Sequence, residues 1–90
     1  MDPQSRNRHS TRVTTKSFEL LRSELATQIR LARAEAGLSQ EALALEAGVD
    51  RTYVSQLERG VANPSLLVMS RLADTLGVEI KVSLVRARSD

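Results

Sequence analysis

The side chains of this chain best placed for chemistry are Arg51, Thr52, Ser55, Gln56 and Arg59, and the chemistry they suit is recognition. With Arg51 at zero on a helical wheel, the other four fall between roughly 40° and 140°, while Val54 and Leu57 fall near about 300° and 240°. One polar stripe thus stands opposite one apolar face. A guanidinium presents a rigid fork of donors, a carboxamide pairs donors with an acceptor, and a threonine adds a methyl beside its hydroxyl. Such groups read fixed arrays of donors and acceptors. Bond-making chemistry finds little support elsewhere. There is no Cys, which excludes disulfides and thiolate metal sites, and the single His9 cannot anchor a triad or a metal cluster alone. No paired carboxylates or nucleophile–base couple can be argued from the spacing. No catalytic residue, cofactor or metal site is expected.

The elements that must carry the stripe belong to one small domain. Ninety residues bury only about 60% of the unfolded surface, so stability is marginal unless a second chain helps. Hydrophobic residues make up 41%, yet only Phe18 and Tyr53 are aromatic, so the core must be built from Leu, Ile, Val and Ala. The absence of Cys suits a reducing cytosol, and no long apolar run or signal-type segment points to a membrane. A cytoplasmic protein is expected. The net charge of +2 hides a distribution. Residues 1–17 carry Arg6, Arg8, Arg12 and Lys16 against Asp2, whereas residues 18–60 carry five basic and seven acidic side chains. The domain is no basic lump, and any polyanion must be met by particular residues and a basic amino-terminal arm.

Residues 1–16 are polar, lack an apolar period and read as a flexible basic tail, with contact to a polyanion as its alternative role. Residues 17–77 form the domain, punctuated by Gly37, Gly48, Gly60 and Gly77 as helix stops. The matching starts are Ser17, Ser39, Asp50 and Ser65, whose oxygens can cap helices over about 18–36, 40–47, 51–59 and 66–76. Phe18, Leu21, Leu25, Ile29, Ala32 and Ala36 recur at steps of three and four in the first helix. Leu43 and Ala44 face in from the second and Val54 and Leu57 from the third. Leu66, Met69, Leu72, Ala73 and Leu76 do so from the fourth.

Two of these helices are short and only the residues around Gly48 separate them, in the run SQEALALEAGVDRTYVSQLERG. Two short helices joined by a tight glycine turn make a helix-turn-helix, whose second helix can enter a DNA major groove. Ala44 must be small where the helices cross, Gly48 must turn with positive φ, and Val49 plugs the turn. At this point the sequence resembles the Cro/repressor-type (XRE-type) regulators of bacteria and phages. The resemblance spans about residues 22–78 and is carried by IRLARAEAGLSQ, AGVDRTYVSQLERG, NPSL and LADTLGV.

The resemblance implies an all-α fold, a lambda-repressor-like helix-turn-helix bundle of four helices, and a role in binding double-stranded DNA. It places Arg51, Thr52 and Gln56 against base edges, with Ser55 beside them on the same stripe. The chemistry fits, since Arg can take both acceptors of guanine, Gln can pair with adenine, and the Thr methyl can meet thymine. Phosphate contacts are expected from Gln40, Arg59, Asn63 and the helix start at Ser65, partly by the same likeness and partly from exposed N–H groups. Tyr53 lies on the rim near about 200°, where packing and a phosphate contact are both open. Family members often have basic residues just after the position of Gly60, whereas this chain has Val61 and Ala62. The family also pairs an Arg with a Glu at the positions of Arg33 and Glu58, a structural ion pair tying the first helix to the recognition helix.

Beyond the bundle the period changes. Val78, Ile80, Val82 and Leu84 alternate with Glu79, Lys81 and Ser83, which predicts a strand over 78–85, followed by a tail over 86–90. One strand after four helices has no partner in its own chain. It is expected to pair across a homodimer, with Leu67 and Val68 joining the interface. Centring the ribbon on Ile80 sets Glu79 opposite Lys81 of the other chain. The function expected is a homodimeric, sequence-specific repressor reading a pseudo-palindromic operator in the cytoplasm, nucleoid-associated when bound. Alternatives are an antitoxin that binds its own operator and a cognate toxin, or a restriction-modification controller protein, which RTYVSQLERG also resembles.

Overall fold

A computed structural model describes residues 15–87, and within them the chain is built from four helices. These are α1 (Lys16–Ala36), α2 (Gln40–Ala47), α3 (Arg51–Glu58) and α4 (Leu66–Leu76). Each begins where a short oxygen-bearing side chain can satisfy an orphan amide. Ser39 Oγ accepts from the Ala42 amide at 2.9 Å, Asp50 Oδ1 from Thr52 at 3.1 Å, and Ser65 Oγ from Val68 at 3.1 Å. The first helix starts earlier than the sequence suggests. Thr15, and not Ser17, is its cap, with Oγ1 accepting from the Phe18 amide at 3.0 Å. Lys16 therefore belongs to α1. Residues 1–14 of the expected basic tail lie outside the described residues, as do residues 88–90.

The helix ends coincide with the glycines, all four of which have φ between 72° and 76°. At α3 the helix stops one residue sooner than expected, with Arg59 as its cap at φ −90° and Gly60 following.

The core forms where α2, α3 and α4 converge on the carboxy-terminal part of α1. Leu43, Val54, Leu57 and Leu72 are fully enclosed. Around them pack Ile29, Ala44, Met69 and Leu76, with two small residues the periodicity does not single out, Ala47 and Ala62. Three expected core positions lie at the surface instead. Leu21 is 65% exposed, Leu66 is 77% exposed, and Ala36 is exposed in the last turn of α1. For Leu21 the reason is length. The 21 residues of α1 outrun the bundle, and only Ala26 and Ile29 of that helix are buried. Leu66 opens α4 in its first turn, before the helix reaches the core.

After Gly77, residues 78–87 adopt no helix and no strand. The alternating pattern forms no ladder among the described residues, because a strand requires a second edge and none of them offers one. Val78 and Ile80 lie along a cleft of about 330 Å³ between α1 and α4, lined also by Leu21, Leu25, Ile29 and Met69.

Candidate nucleic-acid interface

The geometry of α3 is set at the turn before it. Gly48 enters the left-handed region at φ 74°, which lets the Val49 amide reach back to the Ala44 carbonyl at 2.9 Å and its own amide reach Leu45 at 3.3 Å. This double closure satisfies carbonyls that the end of α2 would otherwise leave open. Val49 is half-buried against the core and Asp50 immediately caps α3. Val54 and Leu57 then fix the rotation of α3 by complete burial.

That rotation turns Arg51, Thr52, Gln56 and Arg59 outward, all exposed, with Ser55 partly covered beside them. Tyr53 packs against the core from the rim, and burial pushes its phenol above the usual value. Asn63 is exposed in the following loop. Ser65 spends its hydroxyl on the α4 cap, so its side chain meets the Val68 amide.

The far end of α3 is held by Glu58, a buried carboxylate. Arg33 of α1 grips it twice, Nε to Oε2 at 2.6 Å and Nη2 to Oε1 at 2.9 Å. The same guanidinium donates through Nη1 to the Leu38 carbonyl at 2.8 Å, tying the α1–α2 turn into the cluster. Burial alone would raise the Glu58 pKa. The bonds from Arg33 and Gln40 and the charges of Arg33 and Arg30 outweigh it, so the carboxyl titrates below its ordinary value. The Arg33 pKa is raised, chiefly by its bond to Glu58.

Gln40 differs from the sequence expectation of a phosphate-facing side chain. It is half-buried, and its Nε2 donates inward to Glu58 Oε1 at 3.0 Å. The carboxylate has acceptor sites that two Arg bonds do not fill, and the first residue of α2 fills one. Arg30 is a residue the sequence reading passes over. Its Nη1 approaches the Glu58 carbonyl at 3.4 Å. Its position one turn before Arg33 was the available signal, since i and i+3 share a helix face.

The residues expected at a dimer interface separate into two sorts. Leu67 is 61% exposed, whereas Val68 leans on the core. In the carboxy-terminal segment Val78 and Ile80 are less open than Val82 and Leu84. Among the described residues, no cluster of His, Asp or Glu could hold a metal ion, and no helix is long and apolar enough to cross a membrane.

Comparison with known proteins matches the helix-turn-helix family over residues 29–82. Control protein C.BamHI of Bacillus amyloliquefaciens is 40% identical over 67 residues, covering 74% of this chain and 80% of that protein. A hypothetical transcription factor of Neisseria meningitidis is 48% identical over 58 residues, covering 64% of this chain and 55% of the other. Among solved structures, the restriction-modification controller protein C.AhdI from Aeromonas hydrophila superposes with a TM-score of 0.63 at 41% identity. That match covers 64% of this chain and 88% of C.AhdI.

Proposed function

The chain belongs to the helix-turn-helix family of DNA-binding transcriptional regulators, and from that premise we propose that it is a homodimeric repressor reading a pseudo-palindromic operator. The observation that carries this reading is the outer face of α3. Four exposed side chains, Arg51, Thr52, Gln56 and Arg59, have no side-chain partner among the described residues, while the helix beneath them is fixed by burial and by Glu58. Unpaired donors on an immobile support are what direct base readout requires. Arg51, Thr52, Ser55 and Gln56 address base edges, and Arg59, Asn63, Tyr53 and the start of α4 at Ser65 address the backbone.

Two such helices, one per protomer, stand roughly 34 Å apart and enter successive major grooves. The dimer is joined through residues 78–84, with Leu67 beside them. Regulation follows from occupancy, since a bound dimer blocks a promoter without any chemical step. The site of action is cytoplasmic DNA.

A controller role in a restriction-modification system is the second reading, favoured by the likeness to C.BamHI and C.AhdI. An antitoxin role has no comparable support. Selection of binding sites from random duplexes tests the primary reading. Recovery of two inverted half-sites about one helical turn apart is expected, and recovery of sequences with no shared motif would overturn it. A restriction-enzyme gene beside this one would favour the controller role.

A further inference from the structure

The carbonyl end of α3 is a place where anions gain nothing from the helix itself. The macrodipole there is negative, and the last turn of α3 carries no basic residue of its own. The structure supplies the cation from another helix. Arg30 of α1 rests Nη1 on the Glu58 carbonyl at 3.4 Å, a long bond that holds the side chain against the end of α3.

The rest of that guanidinium is uncommitted. Arg30 is exposed, and its remaining N–H donors have no partner among the described residues. The cluster also carries net positive charge, because Arg33 and Arg30 face the single carboxylate of Glu58, which is bonded by Arg33 and Gln40 and not by Arg30. Arg59 follows Glu58 directly, and it too is exposed and without a side-chain partner among the described residues. One open guanidinium, from α1, therefore rests at the Glu58 carbonyl, and the next residue of the chain adds a second exposed arginine.

We propose that Arg30 is a DNA phosphate-binding residue, which with Arg59 forms a two-arginine seat at the carboxy-terminal end of the recognition helix. The inference rests on the DNA-binding reading above. The seat meets a need of this chain. The loop after Gly60 begins Val61-Ala62, so it brings no charge to the backbone, and Gln40 directs its amide inward to Glu58. A planar fork pinned at one corner is preorganised to take phosphate oxygens with its free edge.

The test measures binding of the full chain to mixed-sequence double-stranded DNA over a salt series, for the wild type, Arg30→Gln, Arg30→Lys and Arg59→Gln, alongside the thermal midpoint of each. Non-specific binding isolates phosphate contacts, each contributing about 0.9 to the slope of log affinity against log salt. Arg30→Gln retains a donor for the Glu58 carbonyl but loses the charge. It is expected to flatten the slope by about 0.9 per protomer, matching Arg59→Gln, with the thermal midpoint close to wild type. Arg30→Lys keeps the wild-type slope. An Arg30→Gln slope equal to wild type overturns the proposal, whether the midpoint falls, which makes Arg30 a helix cap only, or holds. A wild type with no salt-dependent binding to any duplex brings down the DNA reading itself, and this inference with it.

Discussion

Arg33 and Glu58, 25 residues apart in sequence, are joined by two parallel bonds of 2.6 and 2.9 Å that fasten α1 to the last residue of the recognition helix. The Glu58 side chain is 4% exposed and that of Arg33 is 18% exposed, so the pair is shielded on one side and wet on the other. Removing one partner of a buried pair strands the other, at about 3–5 kcal/mol. Arg33 retains some water, so the lower end of that range applies. Glu58→Gln is expected to destabilise the fold by about 3 kcal/mol and to lower DNA affinity with it. Denaturant unfolding measures the first and duplex titration the second. An unchanged midpoint would contradict the structural role given to the pair.

The same carboxylate imposes a pH dependence. Burial pushes its pKa up, but Arg33 and Gln40 bonding and the nearby arginine charges carry it below the ordinary glutamate value. In the unfolded chain the group titrates near about 4.3. The folded state thus binds fewer protons than the unfolded state in the interval between the two values. The stability contributed by Glu58 is fully present above the unfolded value and is lost as pH falls through the folded one. Unfolding midpoints taken from neutral pH downward should fall more steeply in the wild type than in Glu58→Gln below about pH 4. Parallel acid limbs would remove Glu58 from the account.

How far the sequence discloses this structure depends on whether a feature is local. The caps at Ser39, Asp50 and Ser65 and the four glycine stops are decided by a few neighbouring residues, and spacing alone locates them. Overhang is not local. Leu21 has the right phase for the core, but nothing in its period says that α1 outruns the bundle there. The small core residues Ala47 and Ala62 are invisible for a related reason, since an alanine is buried only if a neighbouring helix arrives. At the site, the outward face of α3 follows from 100° steps and the Arg33–Glu58 match from the family resemblance. The inward bond of Gln40 and the reach of Arg30 to Glu58 depend on how three elements meet, and no single periodicity records that.

Arg51 and Gln56 are expected to govern sequence preference, not binding in general. Both are exposed on a helix whose opposite face is fully buried, so truncation leaves the fold intact. A side chain that reads a base edge contributes about 1–3 kcal/mol of discrimination at one position. Arg51→Ala and Gln56→Ala should each lose that much on the selected operator and relax the preference at particular base pairs. Repeating the site selection with each variant measures it. A uniform weakening over all sequences would assign these residues to the backbone instead.

Gly48 offers a test of the turn without touching the interface. Its φ of 74° is a conformation that a Cβ disfavours, yet apart from its own chain neighbours no described atom lies within 4 Å of where that Cβ would sit. Strain is therefore the whole effect, and Gly48→Ala should cost about 1–2 kcal/mol of stability. Affinity at temperatures well below the midpoint should change little, because the folded arrangement of α2 and α3 is retained. A large affinity loss in folded Gly48→Ala would mean that the turn itself meets DNA.

The carboxy-terminal segment carries the proposed dimer, and its two halves are not equivalent. Val78 and Ile80 are 46% and 40% exposed and lie beside the α1–α4 cleft, so changing them disturbs one chain as well as two. Val82 and Leu84 are 77% and 96% exposed and take no part in the core formed by the described residues. Val82→Asp with Leu84→Asp should accordingly leave the monomer fold untouched and remove apolar area that only a second chain can cover. Sedimentation at micromolar concentration is expected to give a dimer for the wild type and a monomer for the double variant. The wild-type thermal midpoint should rise with protein concentration and that of the variant should not, because association stabilises the folded state by mass action. On DNA the variant should keep its half-site preference and lose the added affinity of a paired site. A wild type that sediments as a monomer would sink the ribbon, and with it the spacing between the two recognition helices.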